Sequence, residues 1–268
     1  MGGIGDMGDT DLFSRLGVVL LRPRSPGNVG SVARAMKNMG FTRLIVANPM
    51  SYEDPAWFDD EARRMAWQAA DLLSARHTEP TLDAALSPFD LVVGTTSNPP
   101  DGARTLPPRE IASAIATHVE SHPTANVALL LGQENIGLTR EDLARCHLVG
   151  SIPVSEAYPS LNLAQAALLF LYETRLAFSA LQSSASSPHE PIGQGDPQAL
   201  HPHHGQLEAF YARLESALEE IGFFQGTARA HMMRELRLIF NRTLLTSREL
   251  AILEGVVHQA VWAARRRG

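Results

Sequence analysis

Short apolar runs punctuate the first part of the chain: LGVVLL from Leu16, RLIVANP from Arg43, DLVVGTT from Asp90 to Thr96, VALLLG from Val127 to Gly132 and HLVGSIPV from His147 to Val154. A strand that is apolar at nearly every position offers no face to water, so it belongs in a parallel sheet covered by helices on both sides. Segments with helical spacing fill the gaps. VGSVARAMKNMG stops at Gly40, a residue suited to end a helix. Asp59 to Ala75 carries Ala62, Met65, Ala66, Ala69, Leu72 and Leu73 on one face, and helices are expected near Pro108 to Glu120 and Thr139 to Arg145. A long helix from about Leu161 to Leu181 closes this α/β unit.

The flanking segments differ in composition. Residues 1–15 are rich in Gly and Asp and read as a frayed, disordered N-terminus. Residues 16–181 form the α/β domain. Residues 182–205, rich in Ser, Pro, Gly and His, read as a flexible linker. Residues 206–268 form an all-helical extension, with Leu207, Phe210, Tyr211, Leu214, Leu218 and Ile221 on one face and two further helices at about Arg229 to Phe240 and Ser247 to Arg266. Three helices of this size make a marginal unit alone, so the extension is expected to dock on something.

Composition narrows the chemistry. Leu161 to Tyr172 is too short and too polar to span a bilayer. The N-terminus has neither the basic nor the apolar region of a secretory leader, and a lone cysteine, Cys146, suits a reducing cytoplasm. The net charge of −6 means that nucleic acid could be held only by local basic surface. One lysine, Lys37, stands against twenty-two arginines. Arginine suits bidentate phosphate contacts, though base composition of a genome produces the same bias.

Several motifs lead nowhere. Gly3-Ile4-Gly5-Asp6-Met7-Gly8 fits a dinucleotide fingerprint but follows no strand. His201, His203 and His204 sit in the linker without a fourth ligand, so no metal is expected there. Cys146 reads as a small buried hydrophobe, and the glycosylation sequon at Asn241 has no meaning in a cytoplasmic helix.

Three places carry more. RPRSPGNVGSVARAM sets Gly27, Asn28 and Gly30 between a strand end and a helix start, with Arg34 less than two turns on; this suits an anion, or is a plain turn with a solvated arginine. In LLLGQENIGLTRED, Gly132 lets a ligand approach the backbone, Glu134 can orient a substrate or pair with an arginine, and Thr139 and Asp142 form a capping box. In SIPVSEAYPSLNLAQAALL, Ser160 and Asn162 precede a long helix, where they serve a ligand or simply cap.

Taken in order, GNVGSVARAMKNMGF, LLLGQENIGL and IPV…YPSLNLAQAA resemble the three motifs of the SpoU/TrmH (SPOUT) family of S-adenosylmethionine-dependent RNA 2′-O-methyltransferases. VVGTT, Arg104 to Pro107 and the tail segment ELAILEGVV are similar to the TrmJ branch, which acts on the tRNA anticodon loop. The resemblance implies a SPOUT fold with a C-terminal deep trefoil knot, a homodimer, tRNA as partner and S-adenosyl-L-methionine as cofactor. Its target would be the 2′-OH of nucleotide 32 in the anticodon loop, the alternatives being a ribosomal RNA 2′-O-methyltransferase or a non-catalytic RNA-binding homologue. Carried onto this chain, Asn28, Arg34, Glu134, Ser160 and Asn162 are the catalytic set. Thr95, Thr96, Ser97, Gly132, Ile152, Pro159, Ser160 and Leu161 would contact the cofactor. Methyl transfer from a sulfonium to a hydroxyl needs alignment and removal of one proton, with no metal. A guanidinium is protonated at neutral pH, so Arg34 fits a phosphate clamp and a stabiliser of alkoxide charge better than a base. RNA affinity is expected from Arg22, Arg24, Arg34, Lys37 and Arg43, and from the tail's Arg229, Arg234, Arg237, Arg242, Arg248 and Arg265 to Arg267, unless the latter are a solvated face. The SNPPDGA insertion and the SEAYP approach to Ser160 depart from the branch and put loop contacts and fine substrate choice in question.

Overall fold

The computed structural model describes residues 12–49, 55–99, 103–184, 201–224, 229–241 and 245–266. Six strands form one sheet: β1 (Leu16–Leu21), β2 (Arg43–Ala47), β3 (His77–Glu79), β4 (Leu91–Thr95), β5 (Val127–Leu131) and β6 (Leu148–Gly150). Their order is β3-β2-β1-β5-β4-β6 and every pairing is parallel. β1 is buried at all six positions because it is flanked by β2 and β5 and covered above and below. Its alternate residues serve two cores: Leu16, Val18 and Leu20 face one, Val19 and Leu21 the other.

The helices α1 (Pro26–Met39), α2 (Pro55–Ala66), α5 (Pro108–Ser121) and α7 (Leu163–Ser184) cover the first face. The second is covered by α4 (Leu82–Leu86) and α6 (Arg140–Leu143). α1 starts three residues earlier than its spacing suggests, because Ser25 Oγ accepts from Asn28 N at 3.3 Å and Pro26 lacks the N–H that a first turn leaves unused. Asn28 therefore lies inside the first turn. Against it packs α2, so closely that a Cβ on Gly30 would sit 2.0 Å from the Ala62 carbonyl oxygen.

Other expectations are corrected. The single helix of Asp59 to Ala75 is broken: Trp67, with φ of 53°, opens a 3-10 turn (Trp67–Ala69) between α2 and α3 (Ala70–Ser74). β3 and α4 were not foreseen, since β3 is a short polar edge strand and α4 a single turn capped by Thr81. β6 is far shorter than HLVGSIPV, because the chain turns off at Ile152 and Pro153 to build a loop. Leu12–Arg15 is not frayed but a 3-10 turn. Its Arg15, 7% exposed, donates to the carbonyls of Ala125, Val119 and His122.

The tail comprises α8 (His204–Glu220), α9 (Arg229–Asn241) and α10 (Ser247–Arg265). Its own core has only five buried members, Leu207, Phe210, Tyr211, Met233 and Leu250, and it leans on the α/β domain. Tyr211 donates to Asn241 Oδ1 at 2.7 Å, and Asn241 Nδ2 donates to the Ala144 carbonyl at 3.0 Å, so the sequon asparagine is a buried joint. Residues 201–204, expected to be flexible, are packed as well: His204 is 2% exposed and donates its N–H to Phe89 O at 2.7 Å. No helix among the described residues is long and apolar enough to cross a membrane.

Candidate active site

The carboxyl ends of the strands carry the loops that the three motifs occupy. β1 ends at Leu21, and Arg22 turns the chain with φ of 51°, held by an ion pair to Asp142 at 2.5 Å. β5 ends at Leu131, and Gly137, with φ of 67°, donates to Gln133 O at 2.7 Å to close a tight turn. Thr139 and Asp142 cap α6 reciprocally, as their spacing suggests. Asn162, not Ser160, caps α7: its Oδ1 accepts from Ala164 N at 2.8 Å while Gln165 reaches back to the Asn162 N–H.

These loops meet through one carboxylate. Glu134 Oε1 accepts from Ser25 N at 2.9 Å and from Asn28 Nδ2 at 3.1 Å, and Oε2 accepts from Arg24 N at 2.9 Å. Asn28 Oδ1 in turn accepts from Asn162 Nδ2 at 2.9 Å. Three segments more than a hundred residues apart at their extremes are thus joined by three side chains. Glu134 neither pairs with an arginine side chain nor points free; it orders the turn before α1. A buried or half-buried carboxylate with several N–H donors is well satisfied and rigid.

Beside this joint lies a cleft of about 280 Å³. Thr95, Thr96, Ser97, Gly132, Ile152, Pro159, Ser160 and Leu161 are all among its lining. All eight residues expected at a cofactor are therefore in one cleft. Gly132 lets the turn fold back on it: a Cβ there would come 2.2 Å from the Gly137 carbonyl carbon. Sequence reasoning missed Asn98, Gln133, Asn135, Leu163 and the buried Phe170 of the same lining. All but Phe170 are close neighbours of motif residues; Phe170 follows Leu163 and Ala166 along the face of α7 that lines the cleft. Glu134 and Ser160 line the cleft, whereas Asn28, Asn162 and Arg34 do not. Arg34 is exposed on α1 and has no hydrogen-bond or ion-pair partner among the described residues.

The cationic clusters are sorted by their neighbours. Near motif one, Arg22 is held by Asp142, Lys37 by Asp71, and Arg43 lies over the Phe89 ring, its pKa lowered by burial. Arg24 and Arg34 have no side-chain partner among the described residues. In the tail, Arg229 pairs with Glu215 and Glu219, Arg234 with Glu141, Arg237 with Glu208 and Arg265 with Glu220, while Arg266 lies over Trp262. That part of the expected RNA surface is neutralised from within. Arg248 remains exposed and unpaired, and the side chains of Arg242 and Arg267 lie outside the described residues.

Comparison with known proteins agrees with this architecture. The SpoU rRNA Methylase family model matches residues 15–172, and the model of the tRNA methyltransferase TrmJ C-terminal domain matches residues 205–268. The chain is 36% identical over 251 residues to the tRNA (cytidine/uridine-2′-O-)-methyltransferase TrmJ of Yersinia enterocolitica, covering 92% of this chain and 91% of that one. It is 36% identical over 252 residues to the TrmJ of Escherichia coli K12, covering 92% and 95%. Among solved structures, TrmJ from Z. mobilis ZM4 superposes with a TM-score of 0.74 at 28% identity, covering 91% of this chain and 97% of that one.

Proposed function

This chain belongs to the SpoU rRNA Methylase family, and from that premise we propose that it methylates a ribose 2′-OH of tRNA, at nucleotide 32 of the anticodon loop. It is an S-adenosylmethionine-dependent RNA 2′-O-methyltransferase. The observation that carries the reading is the hydrogen-bonded joint of Asn28, Glu134 and Asn162 beside a cleft lined by Gly132 and Ser160.

The cleft fits the cofactor chemically. It offers apolar side chains at Leu131, Ile152 and Phe170, hydroxyls at Thr95, Thr96 and Ser160, and backbone at Gly132 and Gly137, which pack too closely for a side chain at Gly132. When bound, S-adenosylmethionine supplies an electrophilic methyl on a sulfonium. Thr95 to Ser97, Gly132, Ile152 and Pro159 to Leu161 would hold it, and the Ser160 hydroxyl would position ribose or cofactor. Asn28, Glu134 and Asn162 are positioning residues: they fix the turn before α1 and the start of α7, so that the reacting oxygen and methyl carbon meet in line. Arg34 fits a clamp on the neighbouring phosphate, whose positive charge favours the alkoxide as the hydroxyl proton leaves.

The reading includes a homodimer. Leu168, Leu169, Tyr172 and Leu176, each at least 38% exposed, form an apolar stripe along α7, which packs beside α1 and its Arg34. A second copy seated there would bring Arg34 to the partner's cleft. It also includes the knot: β6 is bonded to β4 on one side, through Thr96 N to Gly150 O, and to Leu106 on the other, through Leu106 N to Val149 O and Ser151 N to Leu106 O. These bonds hold the 96–106 connection beside β6, next to the loop that the family's knot involves.

The test uses unmodified tRNA transcripts, labelled S-adenosylmethionine and mapping of the 2′-O-methyl. Methylation at nucleotide 32 supports the reading; methylation at another position only, or of ribosomal RNA but not tRNA in a parallel reaction, or none, overturns it. Arg34→Ala should keep cofactor binding and lose at least about a hundredfold in turnover. Mixing Arg34→Ala with Gly132→Val chains should restore activity if Arg34 acts across the dimer, because one composite site then has both parts.

A further inference from the structure

Three imidazoles converge at the opposite edge of the sheet, where the strands begin. His118 and His122 stand four residues apart at the end of α5, and His201 closes over them from the segment that leads into α8. Ring centroids are 4.8 Å apart for His118 and His122, 5.4 Å for His118 and His201, and 4.2 Å for His122 and His201. One ring nitrogen from each lies within 4.8 Å of the other two.

The backbone orients two of the rings. His122 Nδ1 lies 2.9 Å from His118 O and His201 Nδ1 lies 2.9 Å from Leu245 O. A carbonyl only accepts, so each Nδ1 carries the proton and each Nε2 is left with a lone pair, the arrangement that prepares a histidine for a metal. The third ring is the decisive one. His118 is 6% exposed, and its Nε2 is buried with no hydrogen-bond partner. Such an atom is costly to bury and calls for a partner.

We propose that His118, His122 and His201 bind a first-row divalent transition ion, Zn²⁺ foremost, with water at the remaining position, and that the ion ties the helical tail to the α/β domain. One histidine in the last turns of α5, a second at the residue that ends the helix and a third from a distant segment are a suitable donor set for zinc. Ligands at about 2.0–2.1 Å from one ion stand roughly 3.4 Å apart, so small ring rotations complete the site. The nearby Arg15 guanidinium opposes the charge of the ion and the buried Asp90 carboxylate favours it. A second group, Asp83, His204 and Glu208, is a weaker candidate because Arg145 and Arg237 already occupy its carboxylates. The proposal stands apart from the methyl-transfer reading.

The experiment titrates Zn²⁺ into the full-length chain after chelator treatment, with calorimetry and thermal unfolding, and repeats it with Co²⁺ by visible absorption. The expected result is one ion per chain, a dissociation constant below about 10 µM, a midpoint raised by at least about 4 °C at a hundredfold excess over that constant, and the intense bands of tetrahedral Co²⁺. His122→Ala and His201→Ala should each weaken binding at least about tenfold and abolish the Co²⁺ bands, while His258→Ala on α10 changes neither. Absence of binding at about 100 µM ion, or binding that survives both His122→Ala and His201→Ala, overturns the proposal. None of these readouts depends on turnover.

Discussion

The two edges of the sheet use polar residues in opposite ways. At the carboxyl edge the loops are glycine-containing and open, one carboxylate is devoted to fixing backbone, and Ser160, Arg24 and Arg34 are left facing outward. At the amino edge polar groups turn inward. Arg15 is pinned by three carbonyls, Asp90 is buried against Asn126 N at 2.6 Å and His203 at 2.8 Å, and the histidines of α5 are covered by the segment entering α8. The same strands thus end in a surface kept free for a ligand and begin in one closed by the chain itself. Strand direction explains this, because in a parallel sheet every loop of one kind emerges on the same side.

The sharpest way to break the contrast is Gly132→Val. Its side chain would collide with the Gly137 backbone and displace a turn that lines the cleft, so cofactor affinity by calorimetry should fall at least about a hundredfold, equivalent to roughly 2.7 kcal/mol, while the circular dichroism spectrum remains that of a folded chain. Glu134→Ala removes the acceptor of three N–H groups; turnover should fall about thirtyfold and unfolding stability by about 1–3 kcal/mol, whereas Glu134→Gln, which keeps one carbonyl oxygen, should lose less of both. At the amino edge the pattern should invert. Arg15→Met strands the carbonyls of Ala125, Val119 and His122 and should cost about 2–4 kcal/mol in denaturant unfolding, with turnover per folded molecule unchanged.

The smallest effect concerns acidity. Burial lowers the pKa of His204 to about 4, with Asp83 raising it and Arg145 and Arg237 lowering it. An imidazole whose folded pKa lies below its unfolded value of 6.5 adds stability above pH 6.5 and loses it as the pH falls from 6.5 toward 4. Between pH 7.5 and 5.5 the protein should therefore lose about 1 kcal/mol through this residue, and His204→Phe should reduce the acid slope of the unfolding midpoint by that amount. An unchanged slope would separate the amino edge from acid sensitivity.

Much of this was legible from pattern. The five long apolar runs all lie in the sheet, Gly40 ends α1 in the left-handed conformation with φ of 81°, and the tail helices fall where their spacing puts them. Motif residues were legible because chemistry demands particular side chains at a strand's carboxyl end. What escaped lacked a periodic signal: β3 is three polar residues, Trp67 breaks a helix whose apolar spacing runs on unbroken, and Arg15 and His201 look like ordinary polar residues of terminus and linker. The roles of Arg15 and His201 depend on distant partners: the three carbonyls that Arg15 reaches are 104 to 110 residues away, and His118 is 83 residues from His201.

The sequence by itself determined the parallel sheet and its covering helices, because apolar periodicity, capping and turn chemistry are local properties of the chain. Only the tertiary structure decided what the charged and imidazole groups do. It directed the tail arginines onto glutamates, Glu134 onto the turn before α1, and three histidines onto one point. The reason is that a long polar side chain reaches whichever partner the packing of apolar elements brings near, and that packing is not written beside it in the sequence.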